Sequence, residues 1–145
     1  MNAPARNPDR AARLQQLVAA LAPVLPAHAL LHQAEQTTPY ECDGLTAYRQ
    51  RPLAVALPET EAQVAAVLKA CHAIGVPVVA RGAGTGLSGG AMPHEAGLTL
   101  ALARFNRILA IDPLARTARV QCGAAARSPA QSAATSPRTA AACTA

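Results

Sequence analysis

The chain has almost no aromatic side chains. Tyr40, Tyr48 and Phe105 are the only three in 145 residues, and tryptophan is absent. Apolar residues make up 51% of the sequence, but much of that share is alanine, which removes little area from water when buried. The core such a composition builds is thin. Charge of one sign is never concentrated either. The formal balance is +5, yet the arginines are spread from Arg6 to Arg138 without a block of five or six like charges. With no such block, and no aromatic residues between the arginines to stack bases, nucleic-acid binding is not expected. Cys42, Cys71, Cys122 and Cys143 form no C-x-x-C pair and no regular spacing, which argues against a zinc site or a disulfide framework. His28 and His32 stand four residues apart, but no motif supplies a third ligand, and His72 and His94 are isolated, so no metal is expected. The sequence has no run of 18 apolar residues, and it does not open with a cationic segment followed by an apolar run and a cleavage site. These absences predict a cytoplasmic protein without a transmembrane segment. The length suits one domain or part of a larger one.

What is present is glycine in one place. Val78-Val79-Ala80 leads into the ten residues Arg81 to Gly90, five of which are glycine. Glycine is costly inside helices and strands and is favoured where the backbone turns or something must approach it closely. Successive amides without Cβ atoms can form a concave nest for an anion. Arg81 adds a positive charge, and Thr85 and Ser88 add hydroxyl donors. A phosphate or pyrophosphate is the ligand that suits this set, the alternative being a plain glycine turn between two strands.

Gly84-Thr85-Gly86-Leu87-Ser88-Gly89 matches G-x-G-x-x-G formally. A dinucleotide fingerprint must then open a helix and place an acid about 20 residues on. Here Gly90, Pro93 and Gly97 follow, then a second strand-like run from Leu98 to Leu102, and the region where that acid belongs holds Arg104, Asn106 and Arg107, with none between Gly97 and Asp112. The P-loop pattern fails as well, because Gly90 stands where its lysine belongs. The segment is a phosphate loop between two strands.

Local signals place the rest. Pro8 to Ala22 reads as an amphipathic helix with Leu14, Leu17, Val18 and Leu21 on one face, ended by Pro23 and Pro26. Gln33 to Gln50 is turn-rich, with Asp43-Gly44 its clearest turn. Leu53 to Leu57 suits a short buried strand between two prolines. Thr60 and Gln63 form a capping box for a helix whose apolar stripe is Val64, Val67, Leu68, Cys71 and Ile74, with Gly75 stopping it and Cys71 a buried thiol. Pro77 to Ala80 completes a β-α-β unit. Ile108 to Ile111 and Thr117 to Gln121 flank Asp112-Pro113 as an antiparallel pair, with Ala118 and Val120 on one face.

Pro39-Tyr40-Glu41-Cys42-Asp43-Gly44-Leu45, Leu57-Pro58, and Pro77 through Gly90 together resemble the FAD-linked oxidases with a PCMH-type (vanillyl-alcohol-oxidase-type) flavin domain. That family includes the FAD subunits of glycolate oxidases and the D-lactate dehydrogenases. The likeness covers approximately residues 25 to 123. It implies an α+β fold, the N-terminal subdomain of a PCMH-type FAD-binding domain, built from a β-α-β unit, a glycine loop and a β-hairpin. It implies FAD as cofactor, wrapped at its pyrophosphate by Arg81, Gly82, Ala83, Gly84, Thr85, Gly86, Leu87 and Ser88. A small 2-hydroxy acid as substrate of the full-length parent, and further oxidase subunits as partners, are implied in the same way.

The expected organisation is an N-terminal helix and extended lead-in over 1–47, a partial flavin domain over 48–123, and a disordered tail over 124–145. The tail contains no Leu, Ile, Val, Met, Phe, Tyr or Trp and no acid. It cannot bury enough side chain to offset ordering costs of roughly 1–2 kcal/mol per residue. The family continues past this point with more of the flavin domain and a substrate domain. A change of reading frame near Cys122 and Gly123 is the expectation, a natural alanine-rich tail the alternative. The groups that carry redox chemistry in the family belong to the part without a counterpart here, so no catalytic residue is assigned and the fragment is expected to be inactive alone. A standalone phosphate- or nucleotide-binding module without redox chemistry is the second reading.

Overall fold

The computed structural model describes residues 8–124; the expected tail, Ala124 apart, lies outside them. Helix α1 (Pro8–Leu21) opens on a proline, which the first helical position tolerates because its amide has no intrahelical partner. Its stripe behaves as the spacing predicts: Leu17 and Leu21 are fully buried, and Leu14 and Val18 pack against the core. A single 3-10 turn (Ala27–Ala29) leads to the short strand β1 (Leu30–Leu31).

The turn-rich segment from Gln33 to Gln50 contains one helical turn, α2 (Ala34–Thr37), followed by a 3-10 turn over Thr38–Tyr40. A reciprocal cap between Gln33 and Gln36 stabilises α2. Strand β2 (Ala54–Ala56) is buried throughout. Helix α3 (Glu61–Ala73) starts where Thr60 accepts the Gln63 amide at 3.2 Å. The return bond differs from a capping box by one residue, since Gln63 Oε1 accepts from the Glu59 amide at 2.7 Å. Val67 and Cys71 are fully buried, whereas Leu68 is 44% exposed. At about 100° per residue, Leu68 sits roughly 80° from the centre of the stripe formed by the other four, which puts it on the flank. Gly75, with φ +65°, ends the helix in the left-handed conformation.

Strands β3 (Val78–Arg81) and β4 (Leu98–Ala101) complete a four-stranded sheet of order β1-β2-β4-β3. The β1–β2 pair is antiparallel, and β4 runs parallel to both neighbours, with Ala54 and Val78 each opposite Leu98. The β-α-β unit is present, but its two strands are not adjacent, because β4 is inserted between them. The physical reason lies in how deeply the strands are buried. All residues of β2 and β4 are buried whereas β3 is only partly so, and a strand buried on both faces belongs inside a parallel sheet, leaving β3 to the edge. α1 and α3 pack together, and Leu17, Leu21, Val67 and Cys71 share one core cluster with Ala54, Ala56, Leu98 and Leu100. The N-terminal helix and the sheet thus have a common core.

Strands β5 (Ile108–Asp112) and β6 (Thr117–Val120) form a separate antiparallel hairpin with an irregularity between Ile108 and Ala110. Every residue of both strands is exposed, Val120 included. The alternation that set Ala118 and Val120 on one face therefore does not bury that face among the described residues.

Candidate functional site

Residues 82–97 join β3 to β4 without a helix, as the glycine spacing predicts. Parallel neighbours require a long crossover because the chain must return to the end from which it started. The glycine loop takes the first half of that path, leaving the carboxyl end of β3. Gly82, Ala83, Thr85, Gly86, Leu87 and Ser88 are exposed, and Gly84 is partly buried. Among the described residues, no main-chain amide from Gly82 to Ser88 donates a hydrogen bond to another group of the chain. The Thr85 and Ser88 hydroxyls make none either. A run of outward-facing donors of this kind suits an anion.

Arg81 does not point freely into that space. Its Nη1 donates to the Cys42 carbonyl oxygen at 2.6 Å, and its guanidinium lies 5.7 Å from the centre of the Tyr40 ring, within cation–π range. Gly84 packs directly on this guanidinium: a Cβ there would lie 2.2 Å from Arg81 Nη2, and φ is +70°. Gly86 is the opposite case. A Cβ at Gly86 would meet nothing within 4 Å, so its outer side is open to a ligand.

The lead-in turn is a part of the site that sequence reasoning missed. The Asp43 carboxylate, only 4% exposed, accepts from the Leu45 amide at 2.9 Å and from the Ala91 amide at 3.3 Å. It thereby ties the turn to the far end of the glycine loop. Gly44 sits against the middle of the loop, where a Cβ would fall 2.7 Å from the Thr85 carbonyl oxygen and 2.8 Å from that of Gly86. Asp43-Gly44 was legible as a turn, but nothing local in the sequence marks its contact with residues some forty positions away.

Two shallow clefts lie elsewhere, of about 530 and 330 Å³, and neither is lined by any residue from 81 to 90. Arg10 and Glu95 line both. The Arg10 guanidinium donates to the carbonyl oxygens of Glu95, Arg51 and Pro52. Burial and the neighbouring Arg51 lower it from its ordinary value, with Glu95 opposing. Its donors are engaged by the chain itself, so the clefts are seams between α1 and the loops beneath it. The glycine loop forms an open ridge outside them. His28 and His32 are both exposed.

A sequence profile of the FAD binding domain matches residues 52–135. The chain belongs to this FAD-binding domain family. FAD is its cofactor. The free amides of Gly82 to Ser88 and the open face at Gly86 fit such a group. The chain is 59% identical over 99 residues to the glycolate oxidase subunit GlcD of Escherichia coli (strain K12), a match covering 68% of this chain and 20% of that protein. The GlcD subunit of Bacillus subtilis (strain 168) is 40% identical over 84 residues, covering 58% and 18%. A D-2-hydroxyglutarate dehydrogenase of Xanthomonas citri pv. viticola is 36% identical over 106 residues, covering 73% and 22%. The chain thus spans about a fifth of the length of these curated relatives.

Among solved structures, p-cresol methylhydroxylase with substrate bound superposes with a TM-score of 0.65 at 24% identity, over 81% of this chain and 23% of that one. Alkyldihydroxyacetonephosphate synthase gives 0.64 at 18%, over 86% and 24%. At such identities the likeness concerns the fold. The architecture is the α+β one of PCMH-type FAD-binding domains. No helix of the described residues is long and apolar enough to cross a membrane.

Proposed function

We propose that Arg81, Gly82, Ala83, Gly84, Thr85, Gly86, Leu87 and Ser88 form the pyrophosphate seat of FAD, in a fragment of a flavin-dependent oxidoreductase of small 2-hydroxy acids, glycolate or D-lactate. The observation that carries this reading is the run of mostly exposed amides from Gly82 to Ser88 at the carboxyl end of β3, which find no partner among the described residues. Exposed amides exchange water for phosphate oxygens at little cost, and bonds to a charged acceptor are the stronger kind. Gly86 leaves the ligand's side of the loop open, and Gly84 permits the bend that brings its neighbours round. Arg81 contributes by holding the start of the loop and by its positive charge. Thr85 and Ser88 supply hydroxyl donors beside the amides.

Bound FAD supplies the two-electron acceptor for hydride from the carbon that bears the substrate hydroxyl. The chain holds part of that cofactor and carries out no turnover alone. No residue of it is assigned to proton transfer, and it spans about a fifth of its relatives. The glycolate oxidase subunits and the D-2-hydroxyglutarate dehydrogenase among those relatives support this substrate class. Further oxidase subunits belong to the same proposal. Residues 1–47 serve as the lead-in and 48–123 as the cofactor-binding part. We place it in the cytoplasm, where Cys42, Cys71 and Cys122, all free thiols, match a reducing compartment.

The test is to purify the 145-residue chain, add FAD, remove excess by gel filtration and record the absorbance. Flavin that travels with the protein supports the reading. A colourless protein that binds free nucleotides or phosphate equally well favours a standalone phosphate-binding module. Dye-linked oxidation of glycolate or D-lactate by the FAD-supplemented chain should be absent, and turnover there would refute the inactivity.

A further inference from the structure

We propose that the lead-in turn from Tyr40 to Leu45 is a brace that orients the glycine loop, with Asp43, Gly44 and Arg81 as positioning residues for the cofactor. The proposal rests on the reading of that loop as the FAD seat. It starts from a difficulty. Between Gly82 and Ser88 no amide is bonded to another group among the described residues, and glycine loses more conformational freedom on ordering than any other residue. The loop has little of its own to fix the direction of its amides, yet a nest requires them to converge.

The fixing contacts come from the turn, and they fall at the start, middle and end of the loop. At the start, Arg81 reaches back to the Cys42 carbonyl and the Tyr40 ring, and Gly84 lies on its guanidinium. At the end, Asp43 holds the Ala91 amide. In the middle, the carbonyl oxygens of Thr85 and Gly86 occupy the side of Gly44 where a side chain would stand, so close that a Cβ there is impossible without movement. In a planar trans peptide the C=O and the following N–H point in opposite directions. Oxygens drawn toward Gly44 therefore turn the amides of Gly86 and Leu87 away from the turn, into solvent. The turn thus selects which way the donors face. Asp43 is suited to its part because it is buried and satisfied by two amides, and Oδ1 and Oδ2 each take one. Asparagine has one acceptor oxygen and would set an N–H group against a second N–H.

The experiment uses the full 145-residue chain and its Asp43→Asn, Gly44→Ala and Arg81→Lys variants. Amide chemical shifts and 15N relaxation are recorded, and FAD and inorganic pyrophosphate are titrated as probes. Asp43→Asn and Gly44→Ala should move or loosen the amides of Gly84 to Ser88 while α3 and β4 keep their shifts. Both should weaken FAD binding about tenfold or more, a full step on the affinity scale. Arg81→Lys keeps a donor for Cys42 and should weaken binding less. Should Gly44→Ala fail to fold, Asp43→Asn carries the test. The brace is overturned if the loop amides of a folded Asp43→Asn chain are unchanged, or if they move and FAD affinity does not. If wild-type chain binds neither probe, the cofactor seat is refuted and the positioning role falls with it, and shifts of the loop in the variants would then show only that the turn orients the loop.

Discussion

Alanine at Gly84 and alanine at Gly86 should fail in different ways. At Gly84, φ is +70° and the new methyl would fall 2.2 Å from Arg81 Nη2. Left-handed backbone costs a residue with a Cβ about 1–2 kcal/mol. The methyl also crowds the end of the flexible Arg81 side chain, which can yield, so its charge-assisted bond to Cys42, worth about 1.5–3 kcal/mol and reduced here by partial exposure, is weakened rather than lost outright. A loss of about 2–3 kcal/mol follows, which for a domain of this size lowers the melting temperature by roughly 8–12 °C. At Gly86 φ lies outside the left-handed region and a Cβ meets nothing within 4 Å. Stability should stay within about 0.5 kcal/mol of wild type. The methyl does occupy the open side beside the free amides, and losing one amide-to-phosphate bond weakens FAD binding by roughly ten- to a hundredfold. Thermal melts without ligand and FAD titrations of the folded variants separate the two. Wild-type affinity in Gly86→Ala would refute the open face as the pyrophosphate seat. An unchanged melting temperature in Gly84→Ala would show that Arg81 is not packed beneath that residue.

Three further outcomes are expected. Thr99→Val should stabilise the chain by about 1 kcal/mol in urea denaturation, because the Thr99 hydroxyl is buried without a hydrogen-bond partner and its desolvation is uncompensated; a loss would reveal a partner such as an internal water. Leu98→Ala, in fully buried β4, should cost about 2–5 kcal/mol, whereas Leu68→Ala, at a half-exposed flank of α3, should cost under about 1 kcal/mol; equal costs would contradict the core assignment. Burial raises the Cys71 thiol above its ordinary value, so the folded state holds its proton more tightly than the unfolded state. Its contribution to stability is complete below about pH 8.5 and is lost as pH rises through the folded value. Denaturant midpoints of wild type should fall faster over that range than those of Cys71→Ala, and parallel curves would exclude the linkage.

What the sequence disclosed is what short-range chemistry decides. The stripe of α1, the Thr60 cap and the Gly75 stop of α3, and the turn of the hairpin each lie within a few residues of the signal that predicts them. The glycine loop was legible because its composition forbids regular structure and its surroundings fail both helix-opening phosphate motifs. Local signals were insufficient where an element depends on another far along the chain. The insertion of β4 between β2 and β3 is a contest among buried strands that no single strand reveals. Leu68 fits the helical spacing but lies on its edge, and only the packing of α1 and the sheet decides where that edge falls.

The lead-in turn shows most clearly why the site itself was only half legible. Asp43 and Ala91 are 48 residues apart, and Cys42 and Arg81 are 39 apart. An Asp-Gly pair in a turn-rich stretch signals only its own conformation. Its proposed second role, giving two carbonyl oxygens room to approach so that two amides face outward, depends on the missing Cβ of Gly44 meeting the middle of a loop brought there by the sheet. Sequence composition identifies residues able to bind an anion. The direction in which those residues present their donors is a tertiary property, and the segment proposed to set it touches the loop at the Thr85 and Gly86 carbonyl oxygens, opposite the amides of Gly86 and Leu87.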